Sequence, residues 1–230
     1  MSRVTISLLL VAVAGFASSD TEVLVNEELA IPSLFSPTRY LMVRPVSNPS
    51  EKIRVSTGVS LVDVDFQESA NTATLGGWLQ LEWLDQRVSW SGGNVTNTRV
   101  NPANIWSPDL TVYDRLPVTA NWVLPMPAVV YRNGKVLNVP PVSFTVRCQR
   151  RQTDTQDRVT CPFKLGSWTH SVEEMELVLK SKTISTDEMI NNGRWTVEST
   201  SLAYKERQYD CCEEMYGHIQ GEIVLKPQLS

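Results

Sequence analysis

Tyr131-Arg132-Asn133-Gly134-Lys135-Val136 decides the fold, because it sets Asn-Gly between two β-rich runs. Asn-Gly suits a type I′ turn, whose two central residues both need positive φ, so the segment reads as a β-hairpin. Toward the N-terminus, Trp78-Leu-Gln-Leu-Glu-Trp83 alternates like a strand with one wet face. Period two puts Leu79, Leu81 and Trp83 on one side and Trp78, Gln80 and Glu82 on the other. Val59, Leu61, Val62, Val64 and Phe66 alternate less regularly, and the strand-like style continues through 78–90. Toward the C-terminus, β-rich runs at 144–147, 175–179, 195–200 and 219–225 are separated by turn residues. Many short antiparallel strands in a sandwich or barrel are the expectation. The thirteen prolines fit it, since proline tolerates strand ends and loops better than strand centres.

The N-terminus has a different character. One basic residue, Arg3, precedes an apolar run at 6–16 and then the small residues Ala17-Ser18-Ser19, which is the layout of a secretory signal peptide over 1–19. That run is short of the roughly 20 apolar residues a membrane helix needs, and no later segment approaches that length. A secreted, extracellular product without a membrane span is expected. Residues 20–230 then form one domain, since no low-complexity stretch, repeat or charge run divides them. An amphipathic stretch at 22–34 reads as a short N-terminal helix. Removing Arg3 takes the formal charge of −4 one unit further negative, which argues against nucleic acid and anionic membranes and mildly favours cationic partners.

Four cysteines in a secreted chain are expected to pair. Three connectivities are open: Cys148 and Cys161 bond each other, or each bonds one of the adjacent Cys211 and Cys212. Neighbouring Cα atoms lie ~3.8 Å apart, below the usual disulfide range, and a two-residue ring adds almost no loop-closure stability. A bond between Cys211 and Cys212 would therefore stiffen a loop tip and present sulfur rather than hold the fold. Adjacency alone leaves bonding elsewhere equally open. Tyr209 and Tyr216 flank the doublet, and a β-rich run follows, which makes a flap carrying two rings and a disulfide a coherent reading.

Trp78, Tyr113, Trp168, Tyr209 and Tyr216 taken singly read as packed or rim aromatics. Together they are enough rings to cage a quaternary ammonium, each facing ring contributing roughly 0.5–2 kcal/mol. Enzymatic signals are missing from the sequence: His170 and His218 lack metal-ligand spacing, and no nucleophile motif or phosphate loop occurs. A Cys/His zinc site is disfavoured by the distance between Cys148 and Cys161 and by the doublet spacing, so neither metal nor cofactor is expected. Asn94-Val95-Thr96 is a glycosylation acceptor, although the tripeptide also arises by chance.

Several motifs converge on a known family. Cys148 and Cys161 enclose twelve residues, and Pro-Phe-Lys-Leu-Gly-Ser-Trp-Thr follows, which resembles the signature loop of Cys-loop receptors and their soluble relatives, the acetylcholine-binding proteins. Trp106-Ser-Pro-Asp109 is similar to that family's Trp-x-Pro-Asp motif, the 78–83 stretch to its second-strand tryptophan motif, and the vicinal cysteines to the tip of its loop C. The similarity runs in order from about 38 to 225.

The resemblance implies an all-β, immunoglobulin-like sandwich of about ten strands with a short N-terminal α-helix, assembled as a homopentamer. It pairs Cys148 with Cys161 and Cys211 with Cys212. Its ligands are small ammonium compounds, acetylcholine and nicotine-like alkaloids, held between subunits without catalysis. The principal face would carry Tyr113, Trp168, Tyr209, Cys211, Cys212 and Tyr216; the complementary face of the neighbour would supply Trp78, Val129, Leu137 and Val139. Loop F, near Asp187-Glu188, has no assigned role. Lacking four membrane helices after Ser230, the sequence implies a soluble acetylcholine-binding protein, with a receptor's extracellular ligand-binding domain as the alternative.

Overall fold

Leu79, Leu81 and Trp83 are all buried while Trp78, Gln80 and Glu82 are not, so the alternation read from the sequence is the alternation of the strand that carries them. The computed structural model describes residues 39–151, 157–190 and 194–228. The leader at 1–19 and the helix expected at 22–34 lie outside the described residues. A four-residue helix, α1 (Arg39–Met42), leads into the strands.

Twelve strands are described. Those of the first sheet are β1 (Ile53–Gln67), β2 (Thr72–Leu84), β3 (Asn97–Val100), β5 (Ala128–Tyr131), β6 (Lys135–Asn138), β7 (Pro141–Arg147) and β10 (Met175–Leu179). The second sheet holds β4 (Leu110–Val112), β8 (Gln149–Arg151), β9 (Arg158–Ser167), β11 (Trp195–Gln208) and β12 (Met215–Pro227). The all-β sandwich is as expected. Its strands are not uniformly short, however: β1 runs for 15 residues and β11 for 14. Nor is every pairing antiparallel, because β10 runs parallel to β1 with Ile53 opposite Met175. After β9 the chain leaves the second sheet and crosses to the edge of the first. The Arg44 guanidinium, donating to the carbonyls of Glu51 and Glu174, ties that crossover to the start of β1.

Inward side chains from both sheets make the core. Phe144 of β7 and Phe163 of β9 meet edge-on across it, 5.5 Å between centroids, and Trp122 packs on Phe144 at 6.0 Å. Burying each such ring contributes about 1.5–3 kcal/mol. The Cys148–Cys161 disulfide also spans the sheets, joining the residue after β7 to β9, with both residues buried.

The β5–β6 hairpin forms where Asn-Gly placed it, but its turn is not type I′. Gly134 has φ of +81° while Asn133 does not have positive φ. The Gly134 amide donates to the Tyr131 carbonyl at 2.8 Å, closing a turn over Arg132 and Asn133 that ends in a left-handed glycine. Neighbouring chain selects this form: the Arg132 amide donates to the Thr96 carbonyl, and the Arg132 carbonyl accepts from the Trp90 amide. Gly134 is required twice over, since a Cβ there would lie 2.5 Å from the Asp85 carbonyl oxygen. Asp85, itself almost wholly buried, caps the turn after β2 and receives Arg87 Nε and Nη2 at 2.9 and 2.8 Å.

Candidate functional site

The candidate site is assembled on the second sheet by one short strand, one strand end and one hairpin tip. β4 pairs with β9 so that Leu110 lies opposite Ser167 and Thr111 opposite Gly166. This register carries Tyr113 across Gly166, where a Cβ would come within 2.5 Å of the Tyr113 hydroxyl. Glycine at 166 thus allows the ring to lie against the sheet. The Tyr113 hydroxyl donates to the Ser167 carbonyl. Burial, with Tyr209, Asp109 and Tyr216 adding to it, pushes the phenol well above its ordinary range, so it remains a neutral donor.

Trp168 leaves the end of β9 into a turn organised by Asp109. The Asp109 carboxylate accepts from Ser167 Oγ at 2.5 Å, from both the amide and Oγ1 of Thr169 at 2.7 Å, and from His170 Nδ1 at 3.0 Å. A carboxylate only accepts, so the His170 proton lies on Nδ1. Burial pushes the Asp109 carboxyl up, and the His170, Ser167 and Thr169 hydrogen bonds more than reverse that push, leaving it well below the usual carboxylate range. His170 packs edge-on to the buried Trp106 at 6.1 Å, and Trp106 does the same to Trp83 at 6.0 Å. The Trp-x-Pro-Asp motif therefore joins a core anchor to a loop clamp. The indole that the clamp presents, Trp168, is 67% exposed.

The third contribution is the β11–β12 hairpin, whose last strand pair is Gln208 with Met215. Its tip holds the Cys211–Cys212 disulfide, with the Cys212 amide donating to the Tyr209 carbonyl. Trp168, Tyr113, Tyr209 and Tyr216 follow one another edge to face, at 6.1, 6.4 and 6.0 Å between successive centroids. With Ser167 and the vicinal cysteines they line a cleft of about 310 Å³. The structure thus brings together Tyr113, Trp168, Tyr209, Cys211, Cys212 and Tyr216. Trp78, Val129, Leu137 and Val139 do not join them. Trp78, Val129 and Leu137 belong to the first sheet, where Val129 and Leu137 are cross-strand partners and Trp78 lies opposite Pro141; Val139 sits in the link between β6 and β7, and none of the four is buried. Asn94 is exposed between β2 and β3, and Asp187 lies in a bend held by Ser185. Among the described residues no group of three or more His, Cys, Asp or Glu is placed to hold a metal ion.

Sequence reasoning gave no roles to Ser167, Thr169, His170 or Gly166, although all four adjoin Trp168 in the chain or in the sheet. The signal was present in the Ser-x-Thr-His pattern, whose donors point to one acceptor. What the sequence did not show was that the acceptor is Asp109, about sixty positions earlier in the chain.

Residues 31–228 match the family described as neurotransmitter-gated ion-channel ligand binding domain. The chain belongs to this family. It is 32% identical over 191 residues to the Caenorhabditis elegans acetylcholine receptor subunit alpha-type acr-16, covering 80% of this chain and 38% of that protein. It is 29% identical over 188 residues to the human neuronal acetylcholine receptor subunit alpha-2, covering 80% of this chain and 36% of the relative. Chicken neuronal acetylcholine receptor subunit beta-3 is 32% identical over 179 residues. The chain spans well under half the length of these relatives.

Within this ligand-binding domain the two disulfides have different work. Cys148–Cys161 closes a ring of thirteen residue steps between sheets, which contributes about 3 kcal/mol by restricting the unfolded chain. Cys211–Cys212 closes almost no loop but lines the cleft. Serine at both 148 and 161 is expected to shift urea unfolding by several kcal/mol. Serine at both 211 and 212 is expected to leave unfolding nearly unchanged and to weaken ligand binding. A large stability loss from the second pair would contradict the division.

Proposed function

We propose that this chain is the extracellular ligand-binding module of a pentameric acetylcholine-receptor type assembly, and that its aromatic cleft is the principal half of a cage for small ammonium ligands such as acetylcholine or nicotine. The observation that carries this reading is the run of four rings, closed by a vicinal disulfide, around one cleft whose largest ring is two-thirds exposed. A desolvated cation needs compensation, and ring faces supply it without a counter-charge. No backbone amide among the described residues donates to the Trp168 carbonyl, which leaves it free to accept from a protonated amine. Quaternary ligands have no such proton and rely on the rings.

An indole this exposed and an open cleft fit a site completed by a second surface. Trp78, Val129 and Leu137 on the other sheet, with Val139 in the link after β6, supply that surface from a neighbouring copy. The relatives are named as acetylcholine receptor subunits, which favours a receptor domain over the free-standing secreted binding protein implied by the sequence. The function is recognition: the hairpin tip folds over the cation, and no bond is made or broken.

Isothermal titration with acetylcholine and with nicotine, alongside sedimentation of the same sample, tests the reading. Saturable binding near one ligand per chain in a pentamer is expected, with Kd near micromolar, about 8 kcal/mol. A folded pentamer that gives no heat with any small ammonium compound overturns it.

A further inference from the structure

His218 lies beneath the cleft and takes no part in the cage described above. It sits on β12 opposite Gly166, the residue over which Tyr113 lies, and its ring is tilted against the Tyr113 ring at 6.4 Å between centroids. The residue is 5% exposed, and its Nδ1 is buried without a hydrogen-bond partner among the described residues. An imidazole held this way is costly to protonate, because the new N–H would be desolvated and unmatched.

We propose that His218 is a positioning residue for Tyr113 that makes ammonium capture pH-dependent: the neutral imidazole supports the cage, and its protonation on acidification weakens the hold on the cation. The inference rests on the reading of the cleft as a cation cage. Lys164 on β9 and Arg207 and Lys205 on β11 are cations that disfavour a further positive charge, while Asp114, just after β4, acts in the opposite sense. The Tyr113 hydroxyl, kept neutral by burial, offers no counter-ion. Burial first, and these cations after it, hold the imidazole below its ordinary range. A histidine whose folded value is depressed is neutral at pH 7, and it charges only as the pH falls below the ordinary value of about 6.5.

The Tyr113 and His218 ring centroids are 6.4 Å apart, so an ammonium group against the far face of Tyr113 would lie on the order of 10 Å from that new charge. At an effective dielectric near 20, two like charges at this separation lower affinity about ten- to twentyfold. Binding and protonation therefore oppose each other. A quaternary cation, which cannot titrate, reports this without its own pH dependence.

Titration of the full chain with tetramethylammonium at pH 7.5 and pH 5.0 is the test, repeated with His218→Gln and His218→Asn. Wild type is expected to lose affinity progressively as the pH falls from 7.5 to 5.0, within the ten- to twentyfold limit set by full protonation, and the variants to keep a flat profile. Imidazole NMR of the unliganded wild type is expected to show one histidine titrating below the ordinary value, moving lower when ligand is added. Binding at pH 7.5 that does not change at pH 5.0 overturns the proposal and leaves the cage intact. A pH dependence that persists in both variants also overturns it. Should neither variant fold, a His218 resonance unaffected by ligand overturns it from the wild type alone. No binding at pH 7.5 overturns the cage reading and this inference with it.

Discussion

Trp168→Ala is expected to weaken acetylcholine binding by about 2–4 kcal/mol, roughly 30- to 1000-fold in Kd, while moving unfolding by no more than about 0.5 kcal/mol. The two halves of this expectation have separate causes. Trp168 is 67% exposed and rests edge-on against Tyr113 alone among the rings, so truncation opens no core cavity. Its turn is held by backbone and side-chain bonds to Asp109, none of which involves the indole. The ligand would lose the largest ring face of the cage. Trp168→Phe, which keeps a smaller face, is expected to fall between wild type and the alanine variant. Paired measurements of Kd by titration and of unfolding by urea decide the matter, and unchanged affinity would remove Trp168 from the site.

The sandwich was legible where a strand keeps period two with one wet face, as in 78–83. It was less legible where both faces are covered or where pairing is distant. The parallel partnership of β1 with β10 joins segments more than a hundred residues apart, and nothing local encodes it. At Asn133-Gly134 the dipeptide correctly marked a hairpin, yet contacts with Trp90, Thr96 and Asp85 selected a different turn from the one the dipeptide prefers alone. The cleft shows the same contrast. Its aromatic and cysteine members were visible through motifs, since each is large or rare. The residues that position them were not: Gly166 acts by lacking a side chain, and Asp109 acts through partners about sixty residues away. His218 was weighed only as a metal ligand, whereas its placement beneath Tyr113 depends on the β9–β12 register.

Asp109→Asn is expected to lower the stability at pH 7 by about 2–4 kcal/mol, and to weaken ligand binding through the displaced Trp168 turn. Four donor atoms converge on the Asp109 carboxylate. Asparagine keeps the shape but presents one amide nitrogen to donors that require an acceptor, and it discards the charge that strengthens every bond. The effect has a pH signature that a packing defect lacks. The folded carboxyl titrates well below the unfolded value of about 3.9, so its contribution is fully present above that value and is lost as the pH falls through the folded-state value. The stability gap between wild type and Asp109→Asn should therefore be widest near neutrality and narrow progressively below about pH 4. Urea unfolding of both proteins at pH 7.0 and pH 3.0 measures it. A gap that stays constant with pH would mean that shape, not charge, holds the turn, and equal stability at pH 7 would mean that the clamp contributes nothing to the fold.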